Sequence, residues 1–171
     1  MKKILLFLLL ILSMLCFIGC GEKSEKLKAF DNIFNNIKME TLSTIETNKT
    51  TAANNRFRNE IEREIFFKTV EMLEESIKQS TYKVDSIEYD EFEANLMITV
   101  KYPDYATSMS EIIKKNGGDA NEKSLAEITM LKNKDISSKE EKLEVKMIKE
   151  NDTWIISDRD KSLIIDKMIG L

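Results

Sequence analysis

Hydrophobic and polar positions divide the chain into an apolar head and a patterned remainder. Ile4 to Ile18 is apolar apart from Ser13, preceded by Lys2-Lys3 and closed by Gly19-Cys20-Gly21. After a polar stretch at 21–26, Leu27, Phe30, Phe34 and Ile37, with Met39 or Leu42, recur at helical spacing and predict a helix over about 24–46. Residues 47–55, rich in Thr and Asn, predict a loop or frayed end. A second helix is predicted over about 56–79, with Phe57, Ile61, Ile65, Val70, Leu73 and Ile77 as its apolar stripe. Glu64 with Lys68 and Glu74 with Lys78 stand four apart on its wet side and predict ion pairs.

The period then changes from helical to two. Tyr82, Val84, Ile87 and Tyr89 predict a strand with a slip near Asp85-Ser86. Phe92, Ala94, Leu96, Ile98, Val100 and Tyr102 alternate with polar or exposed-type positions and predict a long half-buried strand, joined to the first through Asp90-Glu91. Pro103 ends it and Asp104 caps a short helix carrying Tyr105, Met109, Ile112 and Ile113, stopped at Gly117-Gly118. Ser124 with Glu127 reads as a capping box for a further helix through Leu125, Ile128 and Leu131 to about 133. Leu143, Val145 and Met147, the polar turn at 150–153 and Trp154-Ile155-Ile156 predict a second hairpin. Asp158 or Asp160 then caps a last helix with Leu163, Ile164, Met168 and Ile169.

The order α-α-β-β-α-α-β-β-α predicts an α+β fold, with the N-terminal helices packed on a curved antiparallel sheet of about four strands. Three segments follow: 1–19 as a leader, 20–26 as a tether, and 27–171 as a single α+β domain.

The leader has the marks of an export signal, with two lysines, about 15 apolar residues and a small residue before a cut. It is shorter than the roughly 20 apolar residues of a spanning helix. Phe17-Ile18-Gly19-Cys20 resembles the lipobox of bacterial lipoproteins. Gly19 and Cys20 fit that pattern, while Phe17 and Ile18 are bulkier than its usual residues. The resemblance implies cleavage before Cys20, lipid on its thiol, and residence on the outer face of the cytoplasmic membrane or on the outer membrane. One acyl chain binds marginally and two or three bind firmly, at about 0.8 kcal/mol per buried methylene.

Composition narrows the chemistry. Without residues 1–19 the chain keeps 152 residues, with 24 basic against 30 acidic side chains, a net charge of −6. That mild, interspersed acidity argues against a nucleic-acid footprint, which shows as clustered Lys and Arg. Cys16 leaves with the leader and Cys20 takes the lipid, so no disulfide is available. Histidine is absent. With no thiol either, Ser-His, Cys-His and ordinary zinc sites are excluded, and neither metal nor cofactor is expected.

Lys142–Ile148, the turn and Trp154-Ile155-Ile156, with Ala94–Tyr102 and Pro103-Asp104-Tyr105, resemble the strands of nuclear transport factor 2-like and cystatin-like domains over roughly 60–171. The resemblance implies a sheet curved around a cone-shaped hollow. In that superfamily the hollow sometimes holds an active site built on His and Asp; this chain has no His, so the resemblance does not carry catalysis over.

The densest carboxylate cluster, Asp85, Glu88, Asp90, Glu91 and Glu93, lacks the ligand steps and glycine of a calcium loop and reads as a solvated hairpin tip. Tyr82, Tyr89, Tyr102, Tyr105 and Trp154 could line an apolar pocket with polar tips, or could belong to the core. Phe30, Ile33, Phe34 and Ile37 crowd the first helix and predict docking on the sheet, with a partner surface as the alternative. The leading expectation is a membrane-anchored, non-catalytic domain that binds a protein or small molecule. The alternatives are a carboxylate- and tyrosine-based enzyme in the hollow, and a structural envelope protein without ligand.

Overall fold

The computed structural model describes the backbone of residues 2–52, 57–131 and 136–170, and side chains within those ranges from residue 21 onward except at 52. Its elements are α1 (Lys2–Ala52), α2 (Glu60–Gln79), β1 (Thr81–Tyr89), β2 (Glu93–Pro103), α3 (Tyr105–Lys115), α4 (Glu122–Leu131), β3 (Ser138–Glu150), β4 (Thr153–Ile156) and α5 (Asp158–Ile169). The fold is α+β in the predicted order. The four strands form one antiparallel sheet, ordered β1-β2-β3-β4.

Alternation along the strands fixes which face is buried. Ala94, Leu96, Ile98, Val100 and Tyr102 of β2 and Leu143, Val145 and Met147 of β3 all point to the covered side. The predicted slip in β1 is a register shift between Val84 and Ser86. The extra residue lets Ile87 and Tyr89 return to the side that Tyr82 and Val84 occupy. The β3–β4 turn places Asn151 at φ 49° and Asp152 at φ 61°, the left-handed pair that a two-residue hairpin needs.

Helices close the covered face. Phe30, Phe34 and Ile37 of α1, Ile77 of α2, and Ile164 and Met168 of α5 join the strand residues in one core. Each large apolar side chain so buried contributes roughly 1.5–3 kcal/mol. Leu96, Ile98, Val100 and Val145 have no exposed surface, so the hollow implied by the family resemblance is filled with helix side chains here. The opposite face of the sheet is open and polar, with Glu93, Asn95 and Lys101 beside Lys142, Glu144 and Lys146. A second core forms between α2, α3 and α4 from Ile65, Met72, Tyr105, Met109, Ile112, Ile128 and Leu131.

Several local expectations are corrected. α1 is helical through 21–26, so the tether is not a loose polar strand, and through 47–52, where a loop was expected. At 21–26 Glu22, Lys23, Glu25 and Lys26 are good helix formers. At 47–52 the hydroxyls of Thr47, Thr50 and Thr51 donate to the helix carbonyls four residues back, so these residues stay in the helix. The predicted loop positions 53–55 lie outside the described residues, as do the predicted helix positions 56 and 132–133. α2 starts at Glu60 rather than 56 because Asn59 caps it, accepting from the Glu62 N–H at 2.8 Å. Its buried positions are Ile65, Met72, Ser76 and Ile77, while Val70 and Leu73 are half-buried, because the helix serves two cores on different sides. Lys68 pairs with Glu71 rather than Glu64, and Glu74 with Lys49 of α1 rather than Lys78. α4 is capped by Asn121, not Ser124, and α5 by Ser157, not Asp158 or Asp160. Those two acids instead occupy α5's first turn, where the helix dipole favours negative charge. Phe92 lies outside β2 and is 62% exposed.

Candidate functional site

The five aromatic residues singled out from the sequence do not line one pocket. Tyr105 belongs to the second core; Tyr82, Tyr89, Tyr102 and Trp154 belong to the first, at three different heights along the sheet.

Tyr82 packs against Phe30 at 5.0 Å and Phe34 at 4.6 Å between ring centroids, and its hydroxyl donates to Asp31 at 3.1 Å. Burial, aided by the Asp31 carboxylate, pushes its pKa up to about 12, so the hydroxyl stays protonated as a donor. Tyr105 borders a cleft with Lys68, Glu71, Met72, Glu75 and Thr129. That cleft holds about 20 Å³, room for roughly one water and for no larger ligand.

Tyr102 lies where β2 meets the start of β3. Its buried hydroxyl donates to Glu141 at 2.7 Å, and Glu141 also takes Lys167 of α5 at 2.8 Å. The hydrogen bonds from Lys167 and Tyr102 hold the Glu141 carboxyl below its ordinary range. Burial, reinforced by Glu141, raises the Tyr102 phenol above its own. Beside this pair Asp104 binds Lys139 at 2.7 Å and caps α3 by accepting from the Thr107 N–H at 3.2 Å. Burial alone would raise the Asp104 carboxyl, but the hydrogen bonds from Lys139 and Thr107 outweigh it and the pKa is lowered. Gly170 completes this corner at φ 79°; a Cβ there would meet Tyr102 at 3.2 Å. The acids and the phenol here are already engaged with one another, each in its stable protonation state.

Tyr89 and Trp154 stand at the other end of the sheet and are joined by a residue that the sequence reading did not single out. Lys26 of α1 is 4% exposed, and its ammonium lies 4.6 Å from the Tyr89 ring centroid and 5.2 Å from that of Trp154. Both distances are within cation–π range. The preceding residue, Glu25, accepts from the Trp154 indole N–H at 3.3 Å. A lysine three residues after Lys23 in a polar run carries no sequence signal of burial. Only the aromatic pair across the sheet creates its place.

Only Asp90 and Glu91 of the carboxylate cluster lie at the hairpin tip; Asp85 stands at the β1 bulge, and Glu88 and Glu93 lie within the paired strands. Asp85 accepts from Thr99 and pairs with Lys83, and Glu93 pairs with Lys146. Asp90 turns back to accept the backbone N–H groups of Phe92 and Glu93, both at 2.8 Å, which lowers its pKa. Among the described residues no three acids, histidines or cysteines group as metal ligands. Nor, among them, is any helix long and apolar enough to cross a membrane. The side chain of Cys20 lies outside the described residues, as do those of 1–19.

No protein-family model and no curated protein matches the chain. It is similar to a solved structure from Bacillus subtilis named "putative lipoprotein (ycdA)", with 18% identity over 76% of this chain and 44% of that one. The chain thus spans less than half the length of that relative. The TM-score is 0.35, a level at which no structural argument passes between the two.

What the arrangement can do follows from its ends. The Tyr102 corner is a closed network of matched charges. The Lys26 clamp holds the start of the described side chains of α1 against the Tyr89 and Trp154 end of the sheet.

Proposed function

We infer that the chain is an exported lipoprotein, cut before Cys20 and held on a membrane by lipid on that residue, with a non-catalytic α+β domain that binds a partner there. The observation that carries this reading is the run Ile4–Ile18 closed by Gly19-Cys20, with a domain packed almost immediately behind it. Lys26, six residues past the cysteine, is already buried. The binding role, as against an enzymatic one, is supported by the chemistry of the side chains. The chain has no histidine, and the buried tyrosine and carboxylates of the Tyr102 corner serve as structural donors and acceptors.

Cell fractionation of a Cys20→Ser variant tests the anchor. The parent protein is expected in the membrane fraction, and the variant as an unacylated precursor or released protein. A variant that stays acylated and membrane-bound would refute the reading.

A further inference from the structure

We propose that the end of the sheet bearing Phe92 rests on the bilayer that carries the anchor, with the Phe92 ring at the lipid interface. This rests on the lipoprotein reading above and adds the orientation of the domain.

The direction of α1 sets that orientation. Lys26 lies over Tyr89, Phe30 and Phe34 lie against Tyr82, and Lys38 donates to the carbonyls of Lys78 and Ser80. The helix therefore runs antiparallel to β1, and the chain before Lys26 leaves the domain past the Tyr89 end. Six helical residues back to Cys20 span about 9 Å. The hairpin tip at 90–92 projects beyond Tyr89 by up to two strand residues, roughly 7 Å. The attachment point and the tip thus come to nearly the same height, and a clamped helical link leaves the domain little freedom to lift away.

At that height stands an exposed aromatic ring. The large hydrophobic side chains most exposed among the described residues are Met39, Phe92 and Met130, and Phe92 is the one at this end. The ring does not sit on a loose loop. Asp90 accepts the N–H groups of Phe92 and Glu93, and Lys149 N–H donates to the Phe92 carbonyl at 2.8 Å. A braced turn presenting one bare aromatic fits the boundary between headgroups and acyl chains, where amphipathic and aromatic groups settle.

Charge separates this seat from an electrostatic one. The two turns carry Asp90, Glu91, Glu150 and Asp152 against Lys149, which pairs with Asp152 at 3.7 Å, so this tip is net acidic and repels anionic headgroups rather than recruiting them. The contact is apolar, supported by the anchor, and indifferent to added salt on zwitterionic lipid, where no headgroup charge is there to be screened.

The mature lipidated protein has its one cysteine blocked, so Phe92→Cys gives a single free thiol for an environment-sensitive fluorophore. Lys101→Cys serves as the reference: exposed on the open face, eight residues along β2 from Glu93, about 27 Å away. Both proteins are reconstituted in phosphatidylcholine vesicles, with and without phosphatidylglycerol, and acylation is checked by mass. The label at 92 is expected to shift blue and lose most of its emission to nitroxide-bearing lipids, while the label at 101 is unchanged. Phosphatidylglycerol should weaken the effect at 92. A label at 92 as open to aqueous iodide on vesicles as in the unacylated Cys20→Ser protein free in solution overturns the seat while leaving the anchor intact. Shielding at 92 without vesicles would assign Phe92 to self-association and overturn it equally. An unacylated Cys20 overturns both readings together.

Discussion

The two ends of the sheet are closed by different physics. At the Tyr102 end, Asp104 with Lys139 and Glu141 with Lys167 and Tyr102 form short, charge-assisted contacts that also tie α3 and α5 to the strands. At the Tyr89 end, a buried ammonium lies on two aromatic rings, and the Trp154 indole is tied to α1 by its bond to Glu25. The first arrangement depends on protonation and consumes its own acids and phenol. The second depends on packing and leaves an aromatic residue bare beside it. A domain that needs one end finished and the other available for contact would be built this way.

Substitutions should separate the two ends. The largest effect is expected from Trp154→Ala, which removes a ring 7% exposed that holds Lys26 and packs in the main core. It should cost about 3–5 kcal/mol in denaturant unfolding. A loss under about 1 kcal/mol would show that the clamp end is not packed as described.

Asp104→Ala strikes the other end and removes both a helix cap and the partner of Lys139, at a cost of about 2 kcal/mol. It should also change the response to acid. The folded-state pKa values of Asp104 and Glu141 are lowered. Their contribution is therefore complete above the unfolded carboxyl range near pH ~4 and is lost as pH falls through the lower folded values. Unfolding free energy followed over that acid window should fall less steeply in the variant than in the parent. Equal slopes would contradict the assignment.

The smallest effect is expected from Lys26→Met, which keeps an unbranched stem over the rings and deletes the charge. A loss of about 1 kcal/mol, unchanged between low and high salt, matches a desolvated cation–π contact. A salt-dependent loss would point to an ordinary ion pair instead.

Much of this comparison could be read in advance, and its key residues could not. Strict alternation from Ala94 to Tyr102 and from Leu143 to Met147 made two strands and their buried face legible, and the slip at Asp85-Ser86 revealed the bulge. Asp104 was legible as a cap because it follows Pro103 and precedes an apolar helix face. Phe92 was not, since its spacing continues β2's alternation; the Asp90 side chain ends the pairing before it. Ser124 and Asn121 are both good caps three residues apart, so sequence alone could not choose between them. Lys26 was hidden because lysine burial depends on rings more than 60 residues away along the chain. The aromatic set was found by type, but type says nothing about which of Tyr82, Tyr89, Tyr102, Tyr105 and Trp154 share a neighbourhood.

The membrane seat proposed for the clamp end depends on lipid at Cys20. Mass spectrometry of the N-terminal peptide of the membrane-extracted protein tests that most directly. The account predicts a chain beginning at Cys20 and carrying diacylglyceryl on its thiol, with or without a further acyl group on the new amino terminus. An intact peptide that still contains Ile4–Ile18, or a mature terminus at another residue with an unmodified thiol, would contradict it.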